Sequence, residues 1–350
     1  MPTRQPTLSD VAKHAGVSYA TADRVVNRRG NVAAKSLTRV EAAVAALGYV
    51  RNVAAANLSQ SRTYSFVLLL PDGPNAFFAK VRRLIQEMVP RLSLDRVELR
   101  VVDIPAFDEA ALMAHLAELE TDPPDGIALV AIDTPEVADA IERLRAAGAP
   151  VLTFVSDLPG AARDAYVGID NLMAGRTAAR LIRLAHIQRA GRVLPILGAR
   201  SARDHAERLA GLIQGLAGTR MVVAPVIEGH DRAEQVETQL RDRMAQDAGI
   251  TAIYSMGAGN AGLIRAIAER ADRPMVVLHE LVPHSHAALL DDLIDVVIDQ
   301  RPEEEIRQVV ACLRDLADRH PYVAEPAIVP TIYVKDNLPP VSAANEGAPT

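Results

Sequence analysis

The sequence predicts two fold classes on one chain: a small all-α headpiece built on a helix-turn-helix and, beyond a short hinge helix, an α/β body of two lobes. Three observations carry this expectation. Residues 7–60 show helical periodicity broken by a glycine turn, whereas from Tyr64 onward continuous apolar runs alternate with helical stretches. At 350 residues the chain is too long for one ordinary core. Charge changes at the same place. Residues 1–62 hold nine Lys/Arg against three Asp/Glu, a surplus of +6, so with -6 overall the remainder carries -12. A basic segment on an acidic body draws a polyanion to one end and keeps it off the other.

The headpiece elements follow in order. Thr7 and Asp10 read as a capping-box start, and Leu8, Val11, Ala12 and Ala15 form one apolar stripe. Gly16 ends that helix, since glycine takes positive φ at no steric cost. Ser18 is a good N-cap for a second helix, with Thr21, Ala22, Val25 and Val26 inward. Such a pair puts its second helix in the DNA major groove. A third helix is expected over 33–47 with Leu37, Val40, Val44 and Leu47 inward, and a short fourth over 52–60.

Leu8-x-Asp10-Val11-Ala12-x-x-Ala15-Gly16-Val17-Ser18-x-x-Thr21, Arg24-Val25-Val26-Asn27 and Leu47-Gly48-Tyr49-x-x-Asn52 together resemble the lac-repressor/galactose-repressor (LacI-type) family of bacterial transcription regulators. The resemblance implies a dimer that presents two second helices to adjacent half-sites of a pseudo-palindromic double-stranded operator. On that geometry Tyr19, Ala20 and Arg24 read bases, and Ser18, Thr21 and Asn27 meet phosphates. It also implies a hinge over 51–63 that orders on DNA, with Asn52, Ala55 and Leu58 in contact and Leu58 as a minor-groove wedge. Arg51 stands where many members have proline, and Ala22-Asp23 where many have Val-Ser, which puts the operator sequence in doubt. The expected division is headpiece 1–50, hinge 51–63, effector-binding and dimerisation body 64–335 and flexible tail 336–350. The tail carries no leucine heptads, so a tetramerising coiled coil is not expected.

In the body, runs apolar on both faces, such as 64–71, 126–132, 151–155, 192–197, 221–227 and 275–279, are what strands buried in a parallel sheet show. Helical stretches lie between them, giving two doubly wound lobes. The resemblance, weaker here, implies a periplasmic-binding-protein-like sensor whose lobes are joined by three crossings, near 157–160, 299–302 and 320–325. A small ligand would lie between them. Strand ends at such a cleft offer Asp72 and Asn75, Asp157, Asn171, Arg203 and Arg208, Asn260, Glu280 and Gln300. Phe78, with Phe77, can stack on a sugar ring. Asp157, Arg208, Asn260, Glu280 and Gln300 fall where the family places residues that hydrogen-bond an effector. A sugar or sugar derivative, acting on a repressor, is the expectation.

Two other motifs need weighing. Gly257-Ala258-Gly259-Asn260-Ala261-Gly262 is G-x-G-x-x-G between a strand and a helix, with Glu280 closing the next strand. It fits a dinucleotide-binding redox sensor or oxidoreductase, and equally a loop that passes close to any ligand. His279-Glu280 with His284 and His286 misses the H-E-x-x-H spacing of a metal pair and is read as a strand end and loop. No catalytic constellation appears, so neither enzyme activity, cofactor nor metal is expected. Cys312 is read as a small buried hydrophobe on a helix. No apolar run approaches the length of a membrane span, and no basic-then-apolar leader opens the chain, which predicts a cytoplasmic protein.

Overall fold

The computed structural model describes residues 6–26, 32–47, 49, 62–160, 163–187, 189–257, 259–319 and 327–340. The chain divides into two compact units, residues 1–62 and 63–350.

In the first unit, α1 (Leu8–Ala15) starts on the Thr7/Asp10 capping box and ends at Gly16 with φ 60°. Thr21 N–H donates to Ser18 Oγ at 3.1 Å, which caps α2 (Tyr19–Val26). α3 (Ala34–Leu47) closes the bundle, and its Arg39 donates to the Gly16 carbonyl. Val11, Ala12, Ala15, Ala22, Val40 and Ala43 form the core. Leu37, expected inward, is 40% exposed, whereas Ala43 is buried beside Val40. The expected fourth helix lies outside the described residues.

The second unit contains two sheets, the first wholly parallel and the second parallel except for one antiparallel edge strand. The first lobe runs β1 (Tyr64–Asp72), α4 (Ala76–Leu94), β2 (Val97–Pro105), α5 (Glu109–Thr121), β3 (Gly126–Leu129), α6 (Pro135–Ala146), β4 (Val151–Phe154) and β5 (Ala165–Val167). Its strand order is β2-β1-β3-β4-β5. The second lobe begins with α7 (Asn171–Ala185), β6 (Gly191–Leu197), α8 (Arg203–Leu216), β7 (Met221–Val223), β8 (Ile227–Glu228) and α9 (Ala233–Gln246). It continues with β9 (Ile250–Ser255), α10 (Asn260–Ile267), β10 (Met275–His279), α11 (Pro283–Leu290) and β11 (Val296–Asp299). Then α12 (Pro302–Ala317) returns to the first lobe, and β12 (Thr331–Tyr333) closes the second sheet in the order β12-β11-β10-β9-β6-β7, with β8 beside β6. Each order reverses direction next to the lobe's first strand, β1 or β6. The crevice outside the carboxyl ends of the strands there is where doubly wound sheets bind ligands.

Several expectations shift. The run 221–227 is two strands, because Pro225 cannot donate to the ladder. The first crossing is not at 157–160 but at 168–170, since β5 still pairs with β4 in the first sheet. The second, at 300–301, falls where expected. The third, expected at 320–325, lies outside the described residues, but Ile328 bridges Ile169, so two connecting segments run side by side. His284 and His286 sit on α11, not in a loop. Residues 335–337 form a 3-10 helix, so regular structure continues past the start of the tail expected at 336. Cys312 is buried on α12, in the core that Ile306, Val309 and Leu313 share with Phe66 and Phe154 of the first lobe.

Two glycines set the packing of α7 on α8. A Cβ on Gly175 would collide with the Arg208 carbonyl oxygen, and one on Gly211 with the Leu172 carbonyl oxygen. Backbone cannot move aside as a flexible side chain can, so Gly211→Ala should cost at least about 1–3 kcal/mol through forced separation of the helices. Urea denaturation of the variant should show a lower midpoint; an unchanged midpoint would mean that the close approach carries no stability.

Candidate functional site

The first candidate surface is α2 of the headpiece. Its sequence divides cleanly: Ala22 is fully buried, whereas Ser18, Tyr19, Ala20 and Arg24 are exposed, Tyr19 at 57%. Ser18 spends its hydroxyl on Thr21, both at the amide and at Oγ1 2.8 Å away, so it shapes the helix start as well as offering a polar edge. Ala22 belongs to the core, and the departure at Ala22-Asp23 therefore leaves only Asp23, half-buried, near a polyanion. Asn27, Asn52, Ala55 and Leu58 lie outside the described residues.

The second candidate is the cleft between the lobes, a cavity of about 770 Å³ including its open mouth. Its walls differ in kind. The first lobe contributes Phe78 from the first turn of α4, and Ile104, Phe107, Val130, Ile132 and Val155 from strand ends and the turns after them. The second contributes Asp204, His205, Arg208, Asp231 and Glu280, joined by Gln300 at a crossing.

A hydrogen-bonded chain organises the polar wall. Arg208, 1% exposed, donates from Nε to Asn171 Oδ1 at 2.9 Å, from Nη1 to the Met256 carbonyl at 2.8 Å and from Nη2 to Gln300 Oε1 at 3.4 Å. Gln300 Nε2 then donates to Glu280 Oε1 at 2.8 Å, leaving Glu280 Oε2 buried without a partner among the described residues. Burial pushes the Glu280 carboxyl up to about 8, with Asp299 adding repulsion against the pull of Arg208 and Lys80. Burial likewise raises Asp231, and it raises Glu305, whose two oxygens are unpaired behind the wall. Burial and Arg208 depress His279, which stays neutral beside the Tyr254 hydroxyl at 2.8 Å.

Four lining residues, Phe107, Val155, Asp231 and Glu280, have φ between 58° and 77°. For side chains with a Cβ, and above all for a β-branched valine, this costs of order 1–3 kcal/mol each and persists only where surrounding packing enforces it. Each turn aims a side chain or backbone group into the cleft. The lobes meet around it. Asn75 Nδ2 donates to Asp231 Oδ2 at 3.0 Å, Arg203 Nη1 to Asp133 Oδ2 at 3.1 Å, and the Phe107 ring lies edge-on to His230.

The structure therefore brings Asn75, Phe78, Arg208, Glu280 and Gln300 to one cavity. It does not bring the other expected residues there. Asp72 is exposed beside Arg82. Asp157 is consumed by Arg163, Thr153 and the Leu158 amide; burial alone would raise its carboxyl, but these partners hold it below the usual range. Arg203 is a lobe-to-lobe tie through Asp133 and pairs with Glu207. Asn171 orients Arg208 from behind the wall. Asn260 lines an adjoining cavity of about 510 Å³, where it ties Ser255 to the His279 carbonyl. The glycines of the G-x-G-x-x-G loop have local duties. Gly257 and Gly259 take positive φ, and a Cβ on Gly262 would strike the Ala233 carbonyl oxygen where α9 meets α10. Phe107, Asp204, His205 and Asp231 were missed. Only the Asp204/Arg208 spacing of one helical turn signalled any of them in the sequence.

Fold and cleft together define a two-lobed ligand-binding body of the periplasmic-binding-protein type, joined to a helix-turn-helix unit. The family model for bacterial regulatory proteins of the lacI family matches residues 7–52, and that for the periplasmic binding protein domain matches residues 66–320. The chain belongs to the lacI family of bacterial regulatory proteins. It is 28% identical over 212 residues to the HTH-type transcriptional regulator DegA of Bacillus subtilis (strain 168), covering 60% of each chain. It is also 28% identical over 176 residues to the sucrose operon repressor of Streptococcus mutans, covering 50% of this chain and 52% of that one. The matches thus span between about half and two thirds of these relatives. The glucose-galactose binding protein GanP of Geobacillus stearothermophilus shares the fold at a TM-score of 0.72 and 20% identity, over 79% of this chain and 99% of that one. Among the described residues no helix is long and apolar enough to cross a membrane.

The Glu280 carboxyl sets a pH test. Between the ordinary glutamate value and about 8 the folded state holds a proton that the unfolded chain has released. Stability should therefore fall as pH rises through that window. Glu280→Gln, which cannot ionise, should flatten the decline in melting temperature from about pH 5 to about pH 8. Parallel curves for both proteins would show that Glu280 ionises freely.

Proposed function

We propose that this chain is a sequence-specific DNA-binding transcriptional regulator, acting as a repressor, whose hold on its operator is set by a small polar effector between the lobes. The observation that carries this reading is the union, on one chain, of a headpiece exposing Tyr19, Ala20 and Arg24 on its second helix with a body whose lobes meet around a polar-walled cleft. The expected division at 1–50, 51–63, 64–335 and 336–350 goes with it. A sugar or sugar derivative is the first effector class to test. The sucrose operon repressor and the glucose-galactose binding protein carry sugars in their names, and the cleft offers carboxyl, amide and guanidinium groups beside apolar surfaces.

Regulation needs differential affinity. An effector that bridges the walls stabilises the closed lobes over the open ones, and only that difference can shift the state the headpieces sense. The working unit is a cytoplasmic homodimer, because two second helices reading adjacent half-sites require a two-fold symmetric pair.

Selection of DNA from a random pool by the full chain should return a pseudo-palindrome. Binding to it should weaken steeply with salt as the basic headpiece releases counterions. Arg24→Ala should lose about 1–3 kcal/mol and relax the sequence preference at one position of each half-site. Specific binding retained by residues 63–350 alone would refute the assignment.

A further inference from the structure

Positive charge is scarce in the cleft, and two of its carboxyl groups each keep one oxygen without a partner among the described residues. Three acids line it, Asp204, Asp231 and Glu280, against one guanidinium, Arg208, and the imidazole of His205, which lies beside Asp204. That guanidinium is largely spent within the protein, on Asn171, the Met256 carbonyl and Gln300. Glu280 and Asp231 are 4% and 5% exposed, and Glu280 Oε2 and Asp231 Oδ1 have no hydrogen-bond partner among the described residues. A buried carboxyl oxygen left unpaired costs free energy, which a ligand that favours the ionised form and brings donors to it recovers. A carboxylate or phosphate ligand would bring only acceptors to a wall whose one guanidinium is already largely paired within the protein.

Resting on the sensor reading of this cleft, we propose that the effector carries a protonated amine, held by Glu280 and Asp231, on a compact ring whose apolar face lies against Phe78, Phe107 and Ile132. Amino sugars and cyclic amines share this chemistry. A neutral hydroxyl also donates to Glu280, but it donates one proton to one acceptor. An ammonium has three donors and a charge, which suits two carboxyls at once. The charged groups facing Glu280 are Asp204 and Arg208 from α8, Lys80 from α4, Asp299 at the end of β11 and Glu305 from α12, with neutral His279 beside it in β10. Burial keeps the Glu280 carboxyl protonated near neutrality, so an ammonium set against it favours the ionised form and drives a proton out.

Matched pairs test this on the full chain by titration calorimetry: D-glucosamine against D-glucose, D-galactosamine against D-galactose, and cyclohexylamine against cyclohexanol. The amine of at least one pair should bind about ten-fold or more tightly than its neutral twin. Its apparent heat should change with the buffer's ionisation enthalpy, which reports the released proton. Glu280→Gln should erase the preference. Asp231→Asn, checked for folding by circular dichroism, should reduce it and serves if the first variant does not fold. A neutral twin that binds as tightly as its amine in every pair overturns the cation assignment and leaves the cleft a sugar sensor. A preference that survives both substitutions overturns it as well. So does the absence of amine binding up to about 10 mM, and any neutral sugar that binds in those same titrations shows the sensor reading to stand without it.

Discussion

The body depends on one guanidinium. Arg208 reaches from α8 to the Asn171 amide at the start of α7, to the carbonyl after β9 and to Gln300 at the second crossing. Three chain segments are thereby fixed against one planar group. A buried cation is tolerable only when its donors are matched, and removing such a partner costs about 3–5 kcal/mol. Gly175 and Gly211 make the reach possible, because they let α7 and α8 approach until the Arg208 backbone lies against α7. The close helix pair and the polar wall are one construction.

That wall contrasts with its opposite face for a topological reason. In each lobe the ligand crevice opens where strand order reverses. In the first lobe the turns there are Leu70-Pro71, Ile104-Pro105-Ala106-Phe107 and Val130-Ala131-Ile132, which carry few polar side chains. In the second, the corresponding ends lead into Asp204, His205 and Arg208, into Asp231 and into Glu280. The same architecture, used twice, carries opposite chemistry at its two rims. Positive φ at Phe107, Asp231 and Glu280 aims both kinds of side chain into a common space.

Much of this was legible in the residues, and the exceptions have physical causes. The central strands were plain because burial on both faces leaves no polar alternation, as in Phe66–Leu70 and Ile250–Ser255. The edge elements were not. β5 and β12 are three residues each, too short to show a period, and α11 hides behind Pro283 and two histidines that suggested a loop. Asp72, Asp157 and Arg203 are polar residues near strand ends, as the cleft requires. Whether such a group faces a ligand or is consumed by Arg82, Arg163 or Asp133 depends on partners distant in sequence. Asp231 and Phe107 depend on backbone turns for which neither residue type gives a signal.

The division of labour between the walls bears on how such a receptor acquires a new ligand. Ile104, Val130 and Ile132 hold no side-chain hydrogen bond, and none belongs to the Arg208 chain. Exchanging them changes the cavity's outline without unpairing a buried charge. Any change at Gln300 or Asn171 instead breaks the scaffold that holds the lobe together. Drift in specificity therefore has a cheap direction and an expensive one, with shape free to vary on the first lobe while the polar grip of the second is inherited whole.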